Sequence, residues 1–191
     1  MNIITDRLPE AVIFGSKSYP IKTDFKVWLR FHGIITDKNK SPAEKFTDAV
    51  LCCFDSEKCK KLPDNYEETM SVLFSFFAGM PKDVKTAKPV EKVFDFTQDS
   101  EYIFVSFLAE YGIDLSESSM HWYKFLTLLG GLSESSQLKK AIAWRSVNLA
   151  DIKDSKKRSL YRKMKEFYSL QKDKTPALNE KDFAEKLSKA F

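Results

Sequence analysis

Three thiols and two imidazoles are the side chains in this sequence best suited to metal binding or nucleophilic chemistry. Cys52 and Cys53 are adjacent, Cys59 follows shortly after, and His32 and His121 lie far from all three. A structural zinc site takes about four soft ligands at regular spacing, such as two C-x-x-C pairs. The spacing here is different, so no metal is expected and the cysteines read as small apolar side chains plus a loop thiol. A bridge between neighbouring Cys52 and Cys53 would be strained and the count is odd, which suits a reducing compartment. Each histidine sits beside aromatic residues and reads as structural. The sequence has no G-x-S-x-G elbow and no H-E-x-x-H pair. Gly130-Gly131-Leu132-Ser133 lacks the length and the lysine of a phosphate loop and reads as a helix stop followed by a cap. Asp95, Asp99, Glu101, Glu110 and Asp114 are close enough in sequence to suggest acid–base work or Mg²⁺. Acidic residues also gather at helix N-termini, where the macrodipole favours them by about 0.3–1 kcal/mol. That local account suffices, so no catalytic residue, no cofactor and no enzyme activity are expected.

Contact surfaces are the remaining source of function. A basic helix over 155–170 places Arg158, Arg162 and Lys165 on one face, opposite Leu160, Met164 and Phe167, at about 100° per residue. That face could meet nucleic acid or an acidic protein, but the net charge is only +4, and a solvated outer face is the expected reading. Aromatic clusters around Phe74 and Phe77, and around Trp122 and Phe125, are candidate contacts for another polypeptide, and equally suit a plain core. Phe183, Leu187 and Phe191 put an apolar stripe on a short last helix that must dock on its own domain or fold on a partner.

These candidates have to be held by a fold rich in helix. The 191 residues are 43% hydrophobic and 30% charged, with 16 Phe, 7 Tyr and 3 Trp but only 6 Gly. Buried Phe or Leu side chains contribute roughly 1.5–3 kcal/mol each, enough for a core without metals or disulfides. No stretch reaches the roughly 18 apolar residues of a membrane span, and the opening residues lack a signal-peptide pattern. Ala11–Phe14 and Ser18–Ile21 flank Gly15-Ser16-Lys17, a hairpin signal, with Pro20 suggesting an edge strand. Helices are predicted after Thr23 or Asp24 with Gly33 as an early stop, and after the capping box Ser41-Pro42-Ala43-Glu44. Further helices are predicted from Asp64 to Gly79 with Tyr66, Met70, Leu73, Phe74 and Phe77 as the stripe, from Asp99 to Gly112, after Ser116 or Ser118, after Ser133, and after Asp154 or Ser155. The expected fold class is mainly α: about six to eight helices with a small N-terminal β-hairpin. Residues 1–80 form the hairpin-plus-helices part, 81–93 a loop or linker, 94–170 a C-terminal helical part packed with the first, and 171–191 a mobile tail with a short helix.

Eight separated strings carry a family resemblance. They are Thr5-Asp6-Arg7-Leu8-Pro9-Glu10, Tyr19-Pro20-Ile21-Lys22-Thr23-Asp24-Phe25, Asp95-Phe96-Thr97-Gln98-Asp99-Ser100-Glu101-Tyr102-Ile103, Tyr111-Gly112-Ile113-Asp114-Leu115, His121-Trp122-Tyr123-Lys124-Phe125, Gly131-Leu132-Ser133-Glu134, Trp144-Arg145-Ser146 and Tyr161-Arg162-Lys163-Met164-Lys165. In this order they resemble the bacteriophage gene-product-fifteen family of Gram-positive siphophages and prophages. Members are generally encoded between the major tail protein and the tape-measure protein. The resemblance implies a tail assembly chaperone in the bacterial host cytoplasm that binds the helix-rich tape-measure protein and self-associates. It carries no catalytic residues. A structural tail component retained in the virion is one alternative, and a nucleic-acid-binding regulator using helix 155–170 is another, with nucleic acid the less expected partner and no membrane partner expected.

Overall fold

The computed structural model describes residues 2–15, 17–59, 65–79 and 92–171. Among them are one antiparallel hairpin, β1 (Ala11–Phe14) and β2 (Lys17–Pro20), and seven α-helices. The helices are α1 (Phe25–Thr36), α2 (Pro42–Cys53), α3 (Tyr66–Ala78), α4 (Ser100–Tyr111), α5 (Trp122–Gly131), α6 (Gln137–Ser146) and α7 (Ser155–Phe167). The mainly-α class with an N-terminal hairpin is therefore observed. Of segment 81–93, only Lys92 and Val93 are described, and both are non-helical; residues 172–191, with Phe183 and Leu187, lie outside the described residues.

Alternation places the hairpin on the helices. Ala11 pairs with Pro20 and Phe14 with Lys17, so β2 begins one residue earlier than the pattern predicts. Gly15 takes the left-handed φ of 59° that the tight turn requires. Val12 is buried, Phe14 stacks on Tyr19 with centroids 4.1 Å apart, and both rings meet the edge of buried Phe54. Ile13, on the opposite face, is exposed.

The helix starts obey local chemistry where a small polar residue precedes an apolar run. Asp24 accepts from the Lys26 N–H, and Ser41 with Glu44 forms the complete capping box before Pro42. Three starts differ from the sequence reading. Asn65, rather than Asp64, caps α3 through the Glu68 N–H. His121 caps α5, and Ser136, rather than Ser133, caps α6. Ser133 instead binds Glu110, its hydroxyl donating to Oε1 at 2.6 Å and its N–H to Oε2 at 3.0 Å, which ties the turn to the end of α4. Nor does Gly33 stop α1: Ile34 and Ile35 continue the apolar pattern, and the helix runs on to Thr36. Gly79 does end α3, at φ 85°, in a site where a Cβ would lie 2.7 Å from Leu126 Cδ1.

The core is one cluster drawing on both halves of the chain. Backbone bonds join them: Phe25 N–H donates to Met120 O at 2.9 Å, and Trp122 N–H to Thr23 O at 2.7 Å. Behind this bridge runs a ladder of stacked rings. Phe25 faces Phe125 at 4.9 Å, Phe125 faces Phe107 at 5.2 Å, and Trp122 stacks on Phe77 at 5.2 Å. Trp28 meets Phe76 at 4.5 Å, and Phe76 stacks on Tyr123 at 4.8 Å. Such ring pairs add about 0.5–1.5 kcal/mol each beyond the area they bury.

Candidate interaction surface

The aromatic candidates divide between core and surface. Trp122 and Phe125 are fully buried, Trp122 donating its indole N–H to Phe77 O at 2.9 Å. They are core residues with no surface to offer a partner. Phe77 is half-buried between Phe31, Phe96 and Trp122, while Phe74 is 45% exposed. The inward stripe of α3 is Thr69, Met70, Leu73 and Phe76, one step round from the expected one. Apolar residues on both sides of this helix left its inward direction undetermined by periodicity.

Helix α7 is rotated by part of a turn from the sequence reading, with Met164 turned inward as expected but Leu160 and Phe167 turned out. Asp154 does cap it, accepting from the Lys157 N–H. Yet Leu160 is 56% exposed and Phe167 75% exposed, while Arg158, Tyr161, Met164, Lys165 and Tyr168 are half-buried. Arg158 Nε donates to Ile152 O at 2.8 Å and Lys165 Nζ to Val147 O at 3.0 Å. The edge of Trp144 meets Tyr161 at 5.1 Å. Long basic stems cover apolar neighbours while their heads satisfy the carbonyls of the preceding loop. The supposed basic face thus binds its own backbone, with only Arg162 of the three residues fully exposed.

Sequence reasoning missed the main electrostatic node. Asp99 stands at the N-cap of α4 but makes no capping bond with its side chain. It is wholly buried, and Arg145 of α6, 7% exposed, holds it in a two-pronged ion pair. Arg145 Nη1 donates to Asp99 Oδ2 at 2.8 Å and Nη2 to Oδ1 at 2.6 Å. Further N–H groups of the same guanidinium reach Val93 O at 3.0 Å and Tyr168 O. Asp95 N–H in turn donates to Asp99 Oδ2 at 2.9 Å. One arginine so ties α6 to the start of α4, to the 92–98 segment and to the end of α7. The signal for it was a charged residue in the buried register Leu138, Ala141, Arg145 of α6. Only a buried partner makes that position tolerable.

Above this node lies a groove of about 730 Å³ between the end of α1, the 92–98 segment, α6 and α7. Among the described residues its lining includes Lys38, Lys92, Arg145 and Lys165, with Asp95 as the one carboxylate. Asp95 is already engaged, accepting from Lys92 and from the Thr97 and Gln98 N–H groups. Burial pushes its carboxyl up, but Lys92 and those two amides outweigh burial and hold it below the usual carboxylate range. Gln98 and Gln171 close one wall through two hydrogen bonds.

The histidines and cysteines are separated. His121 Nδ1 accepts from the Tyr123 N–H at 3.1 Å, so Nε2 carries the proton and donates to Pro9 O at 3.0 Å. Burial holds its pKa below 6.5 despite the Pro9 carbonyl. His32 packs between Phe77 and Phe96, and burial lowers its pKa too. Cys52, Cys53 and Cys59 are free thiols. The Cys52 thiol donates to Val27 O at 3.6 Å, and the neighbouring Cys53 thiol brings it down to about 7, against burial and with help from Lys22 and Arg30. Cys53, fully buried, is pushed up by that same pairing and by burial.

A family model described as bacteriophage Gp15 protein matches residues 4–170. The chain belongs to this phage family. Neither a curated protein nor a solved structure matches it. The Gp15 match takes in the hairpin, all seven helices of the described residues and the Arg145–Asp99 node, and ends three residues past α7. No helix among the described residues is long and apolar enough to cross a membrane.

Proposed function

We propose that this Gp15-family protein is a tail assembly chaperone that binds the tape-measure protein of a long-tailed phage or prophage in the host cytoplasm. The observation that carries the reading is membership of the family across residues 4–170. The resemblance set out above implies gene placement beside the tape-measure protein. A tape-measure protein is a long helix-rich chain whose apolar faces are prone to aggregate before the tail tube encloses them. A protein that guards such a chain works by contact, through many modest apolar sites rather than one deep pocket. The distribution of exposed apolar side chains supports this: Phe74 on α3, Val105 and Leu108 on α4, and Leu160 and Phe167 on α7. Self-association along the partner is part of the proposal, because repeated copies multiply weak contacts.

The test is co-expression with the adjacent tape-measure protein. The expected result is a soluble partner that co-purifies with this chain. An insoluble partner and no complex overturn the proposal. Mass spectrometry of purified particles adds a second outcome: stoichiometric retention in the virion replaces the chaperone role with that of a structural tail component.

A further inference from the structure

We infer that copies of this chain join head to tail, the outward face of α7 on one copy seated against the outward face of α4 on the next, because the first sets apolar side chains among lysines and the second sets them beside a carboxylate. This rests on the self-association part of the tail-assembly reading and names the surfaces that carry it.

The helix period defines both faces. Lys156, Leu160, Lys163 and Phe167 follow the i, i+4, i+7, i+11 spacing of one stripe along α7, and all four are exposed. The helix turns Arg158, Tyr161 and Met164 inward instead. On α4, Glu101, Val105 and Leu108 repeat the i, i+4, i+7 spacing, with Val105 and Leu108 each 46% exposed and Ala109 open beside them. The inward side of α4 is Ile103, Ser106 and Phe107. At 1.5 Å per residue the stripes run about 10–16 Å, long enough for two helices to pack side by side.

Charge selects the pairing. The α7 stripe holds two lysines and no acid, and the α4 stripe one acid and no base. Among the described residues, Lys156, Lys163 and Glu101 make no ion pair with each other or with a neighbour. Two α7 faces brought together set lysine against lysine, and two α4 faces leave Glu101 without a cation. Phe74 on α3 is exposed too, but Glu67, Ser71 and Ser75 lie on the same side, so it offers less apolar surface. Nucleic acid would engage the lysines and leave Leu160 and Phe167 in water. Four part-exposed apolar side chains make a small interface, which suits a weak contact repeated between many copies. Because the two faces differ, the contact is heterologous and each copy can meet two neighbours.

The experiment is sedimentation velocity of the full chain over about 1–200 µM. The expected result is association that weakens with salt and grows past a dimer as concentration rises. Leu160→Ser/Phe167→Ser removes one face and Val105→Ser/Leu108→Ser the other. Each variant alone stays monomeric, and their equimolar mixture forms a dimer and stops there, because one intact α7 face meets one intact α4 face. A wild-type chain that stays monomeric or stops at a dimer overturns the inference, and so does a mixture that remains monomeric. Glu101→Lys keeps every apolar side chain; it weakens association about tenfold, and adding Lys156→Glu and Lys163→Glu to the same chain restores it. Failure to restore overturns the pairing. Circular dichroism melts show which variants keep the fold, and the charge reversals, all at exposed positions, carry the test if a serine pair does not. A monomeric wild-type chain that still solubilises the co-expressed tape-measure protein overturns this contact alone and leaves the tail-assembly reading in place.

Discussion

Replacing Arg145 with Met keeps an unbranched apolar stem and removes the charge and the guanidinium donors. Asp99, wholly buried, then has no cation partner, and the Val93 and Tyr168 carbonyls lose a donor. Breaking a buried ion pair from one side costs about 3–5 kcal/mol, because the surviving charge stays desolvated. Stability of a domain this size is about 5–15 kcal/mol, so the variant forfeits a large share of it. Each kcal/mol moves the melting temperature of a chain of this length by about 2–4 °C, which predicts a fall of about 10 °C. Urea unfolding followed by circular dichroism is the assay, with Asp99→Leu and the Arg145→Met/Asp99→Leu double variant completing a cycle. The double variant no longer buries a lone charge, so its loss is smaller than the sum of the two single losses. A coupling at the upper end of about 0.5–3 kcal/mol is expected. Strict additivity, or a loss below about 1 kcal/mol in Arg145→Met, would refute the role given to this pair.

The histidines give a pH dependence of defined sign. Both are held below 6.5 when folded, so their neutral forms contribute stability that is complete above 6.5 and declines as pH falls toward the lowered folded values. The urea midpoint should drop on acidification through that range, and His121→Asn, which keeps a capping acceptor, should lessen the drop; a midpoint that rises contradicts the assignment. Trp122→Ala should cost about 3–5 kcal/mol and Phe74→Ala about 1 kcal/mol, and similar losses in thermal melts would contradict the division between core and surface. Gly79→Ala, strained by its positive φ and by Leu126, should lose about 1–3 kcal/mol. Brief alkylation at neutral pH should label Cys52 ahead of Cys59 and Cys53, as peptide mass spectrometry would reveal; labelling of Cys53 first contradicts the thiol pairing.

What could be read in advance follows the range of the forces involved. The Ser41–Glu44 box, the Gly79 stop and the hairpin at Gly15 depend on neighbours within a few residues, and each stands where the sequence places it. Asp99 was read as a helix-end acid because that local role exists; its actual partner is 46 residues away. Periodicity grouped the residues of α7 but did not fix the helix's rotation: Met164 turns inward as expected, while Arg158 and Lys165 take the places expected of Leu160 and Phe167. Arg158 and Lys165 had unsatisfied carbonyls to reach, and those acceptors lie outside the helix. The groove was invisible for the same reason: Lys38, Lys92 and Lys165 come from three distant stretches. Trp122 and Phe125 were legible as apolar and as helical, but the choice between interface and core is made by Phe25, Phe77 and Phe107 closing over them.

The backbone bridge between Thr23–Phe25 and Met120–Trp122 sets an order on synthesis. Asp24 accepts from the Ser119 hydroxyl across 95 residues, and His121 reaches Pro9 across 112. At about 5–20 residues per second, the first helix leaves the ribosome several seconds before the strip that seals it is translated. During that interval Phe25 lacks Phe125, and the emerging chain relies on the hairpin and on the packing of α1, α2 and α3. Polypeptides released before α5 would therefore display the very rings that the finished molecule hides.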